Sequence, residues 1–501
     1  MSKKIDNIFL KILMILVVIQ PILDLIWLND GSISEIFGFT IPTLIRFSFV
    51  LILAVLSFFV IKFNKNYLCL VAYIIVIGIY FIFHHLNGMQ FTSLVPGNFN
   101  YSIMGEIFYF LRMLIPISVI YFTYNSNISS NYFTRCVLIV SLTISLTVII
   151  SNLFYFSLGS YTTKPIGGNI IDWFVHYGDY VYTQIASKGL FNSSITSTVL
   201  VLTFPYIIYL FIDTKKRYFI WIIIAQSIAL IMFGTKATSF SVIIELFCML
   251  LVYLFCSIFL KQIKIDRFIL ISLLLLLIGN GVLYQFGPSS VRVKFDKQYS
   301  QEIDKNDPAK SKNGKDLNIT KDPESIIMFL DKNYKKVSIS SEYLKSSYPY
   351  KYDPLFWYEI LEKTTPSIRM QNRIMQEAMF QRIKEINNNP MDNLVGIGYS
   401  RSTHIYNIER DFIFQYYSSG IIGIIVFIGP YVSIVGIGII YMLLKFKEKL
   451  NILNCSIILG VGLSLFVAFY GGNVLENLGI TIILGFLLGY LLKVNIKSEK
   501  V

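Results

Sequence analysis

Apolar runs of 18 or more residues recur along this 501-residue chain, and each is long enough to cross a ~30 Å hydrocarbon core as a helix. Lipid offers no hydrogen-bond partner to the backbone, so each crossing has to satisfy its own N–H and C=O groups, which a helix does. A soluble protein would have to bury a dozen such runs in one core. The composition argues the same way: 55% of residues are hydrophobic, 15% are charged, and the mean hydropathy is +0.62, whereas a soluble domain carries about 25% charge. The expected fold class is an all-α polytopic membrane protein with about 12 transmembrane helices. The spans fall near residues 8–28, 43–63, 67–86, 105–123, 134–158, 193–212, 217–233, 238–260, 267–286, 419–444, 451–470 and 474–493.

Orientation follows from the basic residues. Lys3 and Lys4, Lys62 and Lys65, Arg135, Lys215–Arg217, Lys261 to Arg267, Lys445 to Lys449, and Lys493 to Lys500 all fall between spans on one side. By the positive-inside rule that side is cytoplasmic, with both termini inside. The net charge of +13 is therefore topological and does not call for a nucleic-acid partner. Met1 to Lys4 and the apolar stretch after them resemble a signal peptide, but no small-residue cleavage site follows, so a retained first helix is expected. Five cysteines lie in or beside apolar runs without CxxC spacing, which argues against a disulfide framework or a metal site.

This topology divides the chain into helices 1–9 (residues 1–286), a large extracytoplasmic loop domain between spans 9 and 10 (287–410), and helices 10–12 (411–501). Residues 299–325 are charged and apolar-poor and read as a flexible insertion. Further on, Ile368, Met375, Met379, Arg382 or Ile383, and Ile386 recur at a helical spacing of seven and then three or four, predicting an amphipathic helix over about 367–387 that rests on the outer face. A second outer loop, 159–190, carries Trp173, His176 and Lys188.

Charges embedded in the spans gather at one depth. Asp24, Arg46, Arg112, Glu245 and Glu476 fall in the outer halves of their helices, and Lys188 and Lys236 at outer helix ends. A charge at the bilayer centre costs at least ~2.5–3.5 kcal/mol, so such groups face a polar cavity or a partner. Snorkelling with structural ion pairs, such as Arg112 with Glu106, is one reading; a cavity opening outward is the other. Arg369 and Arg373 share a stripe that Glu377 extends at i,i+4. They are either a salt-bridged surface or a clamp for phosphate oxygens, which the planar guanidinium fork binds bidentately. Glu409 and Asp411 stand just before "FIFQYYSSGIIGIIVFI", as acids favoured at a helix start or as a general base at the cavity mouth. Two residues apart on a helix they would point some 200° apart, so Asp411 would face the bundle and pair with a cation such as Arg112. His404 has no second ligand at metal spacing.

The stretch from Arg373 through "NNNPMDNLVGIG" to "YYSSGIIGIIVFI" resembles the signature region of the O-antigen ligase-like and O-antigen polymerase membrane proteins. Arg373, Pro390, Gly396, Gly398, Gly420 and Gly423 stand in the corresponding places, and "QPILDLIWL", "PTLIRF" and "KGLFNSSITSTVLVLTFP" are similar to the Gram-positive variety. The resemblance implies transfer of a glycan from an undecaprenyl-pyrophosphate carrier to an acceptor sugar hydroxyl, with no metal or cofactor. Its partners would be that donor, the acceptor glycan, membrane lipid and components of a polysaccharide export machinery, in a bacterial cell membrane. The family's His-Asn pair would fall on Glu409-Arg410, so Glu409, Asp411 or His404 is the candidate base. Arg373, Arg369, Arg46, Arg112 and Lys236 are the candidate pyrophosphate ligands. Polymerase and ligase both remain open. A transporter or flippase of a lipid-linked saccharide is the alternative, but it predicts midplane charges and repeat symmetry, which this sequence lacks. A non-catalytic scaffold would not need the clustered arginines and carboxylates.

Overall fold

The computed structural model describes residues 2–29, 40–61, 65–97, 99–176, 178–310, 317–406 and 408–496. Its first half runs α1 Ser2–Val18, α2 Ile41–Val60, α3 Lys65–Gly88, α4 Ile103–Asn125, α5 Ser130–Leu153, α6 Ser197–Thr214, α7 Tyr218–Met232, α8 Lys236–Ile258 and α9 Arg267–Phe286. More polar helices follow: α10 Pro288–Lys305, α11 Pro323–Asn333, α12 Pro354–Lys363, α13 Asn372–Asn387, α14 Met391–Val395 and α15 Tyr399–Ser402. The chain ends with α16 Asp411–Gly423, α17 Gly429–Leu444, α18 Ile452–Tyr470 and α19 Leu478–Ile496. Among the described residues there are isolated bridges but no sheet.

Ten stretches of the described residues are helical, long and apolar enough to cross a membrane. Two of the twelve expected spans are shorter than that. The first stops at Val18, because Pro21 lacks the N–H that would continue the ladder, and resumes as the separate turn Gln20–Leu23. The seventh is the 15-residue α7, closed by Gly234 at φ +68°. The tenth begins at Asp411 rather than near 419 and runs, with α17, to Leu444.

The basic loops meet at one end of the bundle. Lys215 pairs with Asp266 at 3.3 Å, Gln262 donates to the carbonyls of Lys447 and Leu450, and Lys449 donates to the carbonyl of Val494. Lys493 caps the carbonyls of Ser126 and Ile128. Lys62, Lys497 and Lys500 lie outside the described residues. Small residues let the central helices touch: a Cβ on Gly485 or Gly489 would press on the carbonyls of Pro116 and Ile120, and one on Gly460 on that of Leu202. Backbone-to-backbone approach of this kind is how helices gain contact where lipid removes the hydrophobic drive.

Residues 288–310, 317–406 and 408–410 lie at the other end. Their own core, including Ile326, Leu330, Trp357, Leu361, Met375 and Met379, is continuous with Tyr80, Tyr109, Phe110 and Phe427 of the bundle. Of the expected flexible insertion, residues up to Lys305 belong to α10, 311–316 lie outside the described residues, and Asp322 caps α11 by accepting the Ser325 N–H. The helix expected over 367–387 is broken. Pro366–Arg369 forms one turn, and α13 starts at Asn372. That turn is tied to α10 and the residues just after it: Asp304 accepts from Ser367 N–H and hydroxyl, and Asp307, beyond the helix end, from Arg369.

The glycines of the signature region build a close crossing. α16 breaks at Gly420 (φ +69°), where its backbone lies on Leu394 and Val395, while Gly396 (φ +80°) lies on Ser418 and Ser419. Carbonyls around the break find partners outside the helix: Tyr417 O from Ile397 N–H at 2.9 Å and Ser418 O from Gly398 N–H at 3.0 Å. Ser419 O and Val426 O take the hydroxyls of Tyr80 and Tyr73. This is the accounting a kinked, buried helix requires. Asn87, at the end of α3, anchors the same segment through Asp392 and the Gly396 carbonyl. Gly396→Ala is expected to destabilise the protein by at least the ~1–3 kcal/mol that a side chain costs in such a backbone conformation. Thermal unfolding in detergent checks this, and an unchanged Tm would contradict the packing described.

Candidate active site at the end of the bundle

The loop "GGNVLEN" (471–477) joins α18 to α19, and three of the embedded or near-membrane charges converge on it. Asp411, the first residue of α16, is buried. Its carboxylate accepts the backbone N–H groups of Val474 (2.7 Å), Leu475 (3.1 Å) and Glu476 (3.3 Å). Successive N–H groups turned to one point form a cradle for an anion, and here the anion is a side chain. Arg112 bonds the carbonyl of Glu476 and lies 3.8 Å from its carboxylate. Tyr109 holds the same carboxylate at 3.0 Å and Gln415 at 2.6 Å. Burial pushes the Glu476 carboxyl above the ordinary carboxylate range, with Arg112 and the Tyr109 hydrogen bond opposing.

Arg373, in the first turn of α13, reaches the same loop. Its Nε donates to Glu409 at 2.6 Å and its Nη2 to the Gly471 carbonyl at 3.1 Å. The guanidinium lies so close over Gly471 that any Cβ there would collide with it, and it sits 5.9 Å from the Tyr470 ring. Nη1 makes no hydrogen bond among the described residues. Both charges are partly open to solvent, at 38% and 28% side-chain exposure for Arg373 and Glu409. Arg410 stands between Glu409 and Asp411 at φ +70°, a conformation uncommon without glycine, and pairs with Glu377 at 2.8 Å. This turn sends the two carboxylates to different partners.

The wall beside this cluster is built from Glu106, in the first turn of α4. It accepts from His84 Nε2 (3.0 Å), Tyr399 N–H, Ser400 N–H and the Ser400 hydroxyl. It thereby holds the start of α15, whose Tyr399 stacks on Tyr109 with ring centroids 4.0 Å apart. His84 Nδ1 faces the carbonyl of Val395 at 2.6 Å, which ties α3 to the end of α14. Arg401 is buried between the rings of Phe91 and Tyr101 and donates to the carbonyls of Phe99 and Ile397.

Several expectations are corrected by these contacts. Arg112 pairs with Glu476 instead of Glu106, and Asp411 takes backbone N–H groups instead of Arg112. Arg369 is buried against Asp307, so no phosphate can reach its fork. Arg46 is buried with Asp24 at 2.5 Å and Gln20 at 2.8 Å. Lys236 pairs with Asp296 at 2.7 Å, beside Arg292. His404 is exposed, with its ring edge on Phe99, and partial burial lowers its basicity. Glu377 serves Arg410, not Arg373. Glu245 is buried with neither oxygen hydrogen-bonded among the described residues. Lys188 is buried, its Nζ 3.1 Å from the Asn192 carbonyl, and burial lowers its pKa.

The site thus keeps a solvent-reachable cation and carboxylate in contact, over a loop fixed by Asp411, Arg112 and Tyr109. Such a pair can hold an anionic group and accept a proton beside it. Sequence reasoning missed Tyr109, Gln415, Tyr399 and the backbone of 471–477; Glu476 was visible only as an embedded charge. Asp411→Asn would turn an amide N–H toward a backbone N–H and remove charge from those bonds, a loss on the order of 1.5–3 kcal/mol per bond to a charged group. Reduced abundance and a lower Tm are expected, and wild-type stability would show that the cradle does not hold the loop.

The comparisons agree with this architecture. None of the curated proteins matches the chain. Residues 6–499 match the family described as O-antigen ligase like membrane protein, almost the whole chain and every element of the site. The chain is therefore a member of the O-antigen ligase-like membrane protein family.

Proposed function

We propose that the chain is a polymerase or ligase of a cell-surface polysaccharide, which transfers a glycan from an undecaprenyl-pyrophosphate-linked donor to an acceptor sugar hydroxyl. The observation that carries this reading is the Arg373–Glu409 contact, 2.6 Å long and partly exposed, set where the bundle meets the 288–410 segment. The donor's diphosphate would take the unengaged edge of Arg373, with Arg112 adding positive charge through the loop. The acceptor oxygen attacks the anomeric carbon and the bond from that carbon to the diphosphate oxygen breaks. The carrier diphosphate leaves with the electron pair, and the hydroxyl proton passes to Glu409. Fixed cations favour this step because negative charge develops on the leaving group, and positioning of donor and acceptor supplies much of the rest. Asp411 positions the loop and does not meet substrate.

The site is proposed to face the outside, because the basic loops cluster at the opposite end of the bundle. Cysteines introduced at Lys310 and Lys216 test this. An impermeant thiol reagent on intact cells should label the first and spare the second; the reverse would overturn the orientation. The function itself is tested in a strain lacking the chain. Single repeat units without long chains mean a polymerase, and complete carrier-linked chains left untransferred mean a ligase. An unchanged surface polysaccharide would refute both.

A further inference from the structure

We infer that the exposed face of α13 beyond Arg373 is a glycan-binding groove, which holds sugar units lying further along the chain than the reacting ones. This rests on the transferase reading above. At the C-terminal end of α13 an open cleft of about 460 Å³ is lined by Gln381, Lys384, Asn388, Asn389, Asn393 and Tyr416, among others. A second hollow of about 200 Å³ shares Gln381 and Glu385 with it, so the two adjoin at these side chains.

The lining suits sugars. A sugar hydroxyl both donates and accepts, and a primary amide offers both functions on one flat group; of the four side-chain amides here, Asn389 is held by Asn87 and the Met391 N–H, while Gln381 donates to Glu385 and keeps its oxygen. Lys384 donates to Asn393 Oδ1 at 2.5 Å and lies 4.4 Å from the Tyr416 ring centre, and the Tyr416 hydroxyl also donates to Asn393 Oδ1. The Asn393 oxygen is thereby occupied and its NH₂ remains to donate. The Asn388 amide makes no hydrogen bond among the described residues. Tyr416 supplies an aromatic ring of the kind that packs on the apolar C–H face of a sugar. Lys384 is already engaged with Glu385 beside it, and in the smaller hollow Lys363 and Arg382 are paired with Glu359 and Asp353, so the charge balance does not select an anion.

Geometry connects the groove to the reacting pair. Arg373, Glu377, Gln381 and Lys384 follow at steps of four, four and three, which sets them on one face of α13, and Asn388 caps its end. Lys384 lies 11 residues beyond Arg373, about 16 Å along the helix. A few sugar units span that length. They belong either to the acceptor chain or to the donor's glycan, which offer the same hydroxyls and ring faces.

The test uses the full chain in the strain that lacks it, comparing Gln381→Ala with Asn388→Gly, and Gln381→Trp as a blocking change at an exposed helix position. Polysaccharide is read on gels at equal membrane abundance. Losing one or two neutral hydrogen bonds lowers occupancy about five- to thirtyfold. If the groove holds the acceptor, chains shorten while linkage persists. If it holds the donor's glycan, output falls with the length distribution unchanged. Wild-type length and amount in Gln381→Ala, Asn388→Gly and Gln381→Trp alike would overturn the groove. Arg373→Ala is run alongside: if it abolishes polymer, only the groove has failed, whereas if it too is silent the transferase reading has failed.

Discussion

Glu409→Gln is expected to leave an abundant, folded protein that makes about 10²–10⁴-fold less polymer, the usual contribution of a positioned general base. The amide keeps the shape and can still accept the Arg373 Nε proton through its oxygen, so the 2.6 Å contact need not be lost. What disappears is a carboxylate able to take the acceptor's proton. A merely structural role predicts something else. If Glu409 only holds Arg373 in place, Glu409→Gln should cost no more than disturbing Arg373 does, and the two changes should not add, as for any pair acting through one interaction. Polymer output of the two single variants and the double variant, at matched abundance, separates the cases. Full activity in Glu409→Gln with loss in His404→Ala would move the base to the histidine, which in this structure is exposed.

Arg373→Lys is expected to reduce output about ten- to a hundredfold, the rate equivalent of one charge-assisted hydrogen bond. Lysine keeps the charge but loses the fork. In the structure that fork spans Glu409 and the Gly471 carbonyl and still leaves Nη1 over, which a single ammonium cannot reproduce while reaching across Gly471. Arg373→Ala should be at least as severe. Arg369→Lys should instead act on stability, because Arg369 is buried against Asp307. Polymer measurements on both lysine variants, normalised to protein in the membrane, distinguish a ligand-facing arginine from a buried structural one.

The bundle could be read from the sequence because lipid forces each crossing to declare itself as a long apolar run, and ten of the helices do. The two shorter ones were also expected as spans, since local hydropathy does not register the Pro21 break or the Gly234 stop. Divergence of Glu409 and Asp411 was expected from helical periodicity, yet it arises from the left-handed turn at Arg410, outside the helix. The partners of the embedded charges were hidden for a different reason. Arg112 and Glu476 lie 364 residues apart, and no periodicity reports which helices face each other across a bundle. Arg369 and Lys236 looked free because their counter-ions, Asp307 and Asp296, belong to or adjoin a charged stretch that reads as an unstructured insertion. The loop at 471–477 gave no signal because its contribution is mostly backbone: three N–H groups for Asp411 and a carbonyl for Arg373. Motif glycines, by contrast, were recognisable, and their reason is now physical, two backbones crossing at Gly396 and Gly420.

The central claim is that the chain breaks the bond between a glycan and its carrier diphosphate. The direct measurement uses the purified chain in liposomes with lipid-linked donor extracted from the strain that lacks it, following free undecaprenyl diphosphate and new glycosidic bonds together. The account predicts that the two appear in equal amounts, and that Glu409→Gln and Arg373→Ala suppress both. Movement of intact donor across the bilayer without release of carrier would contradict it, and would make the protein a transporter.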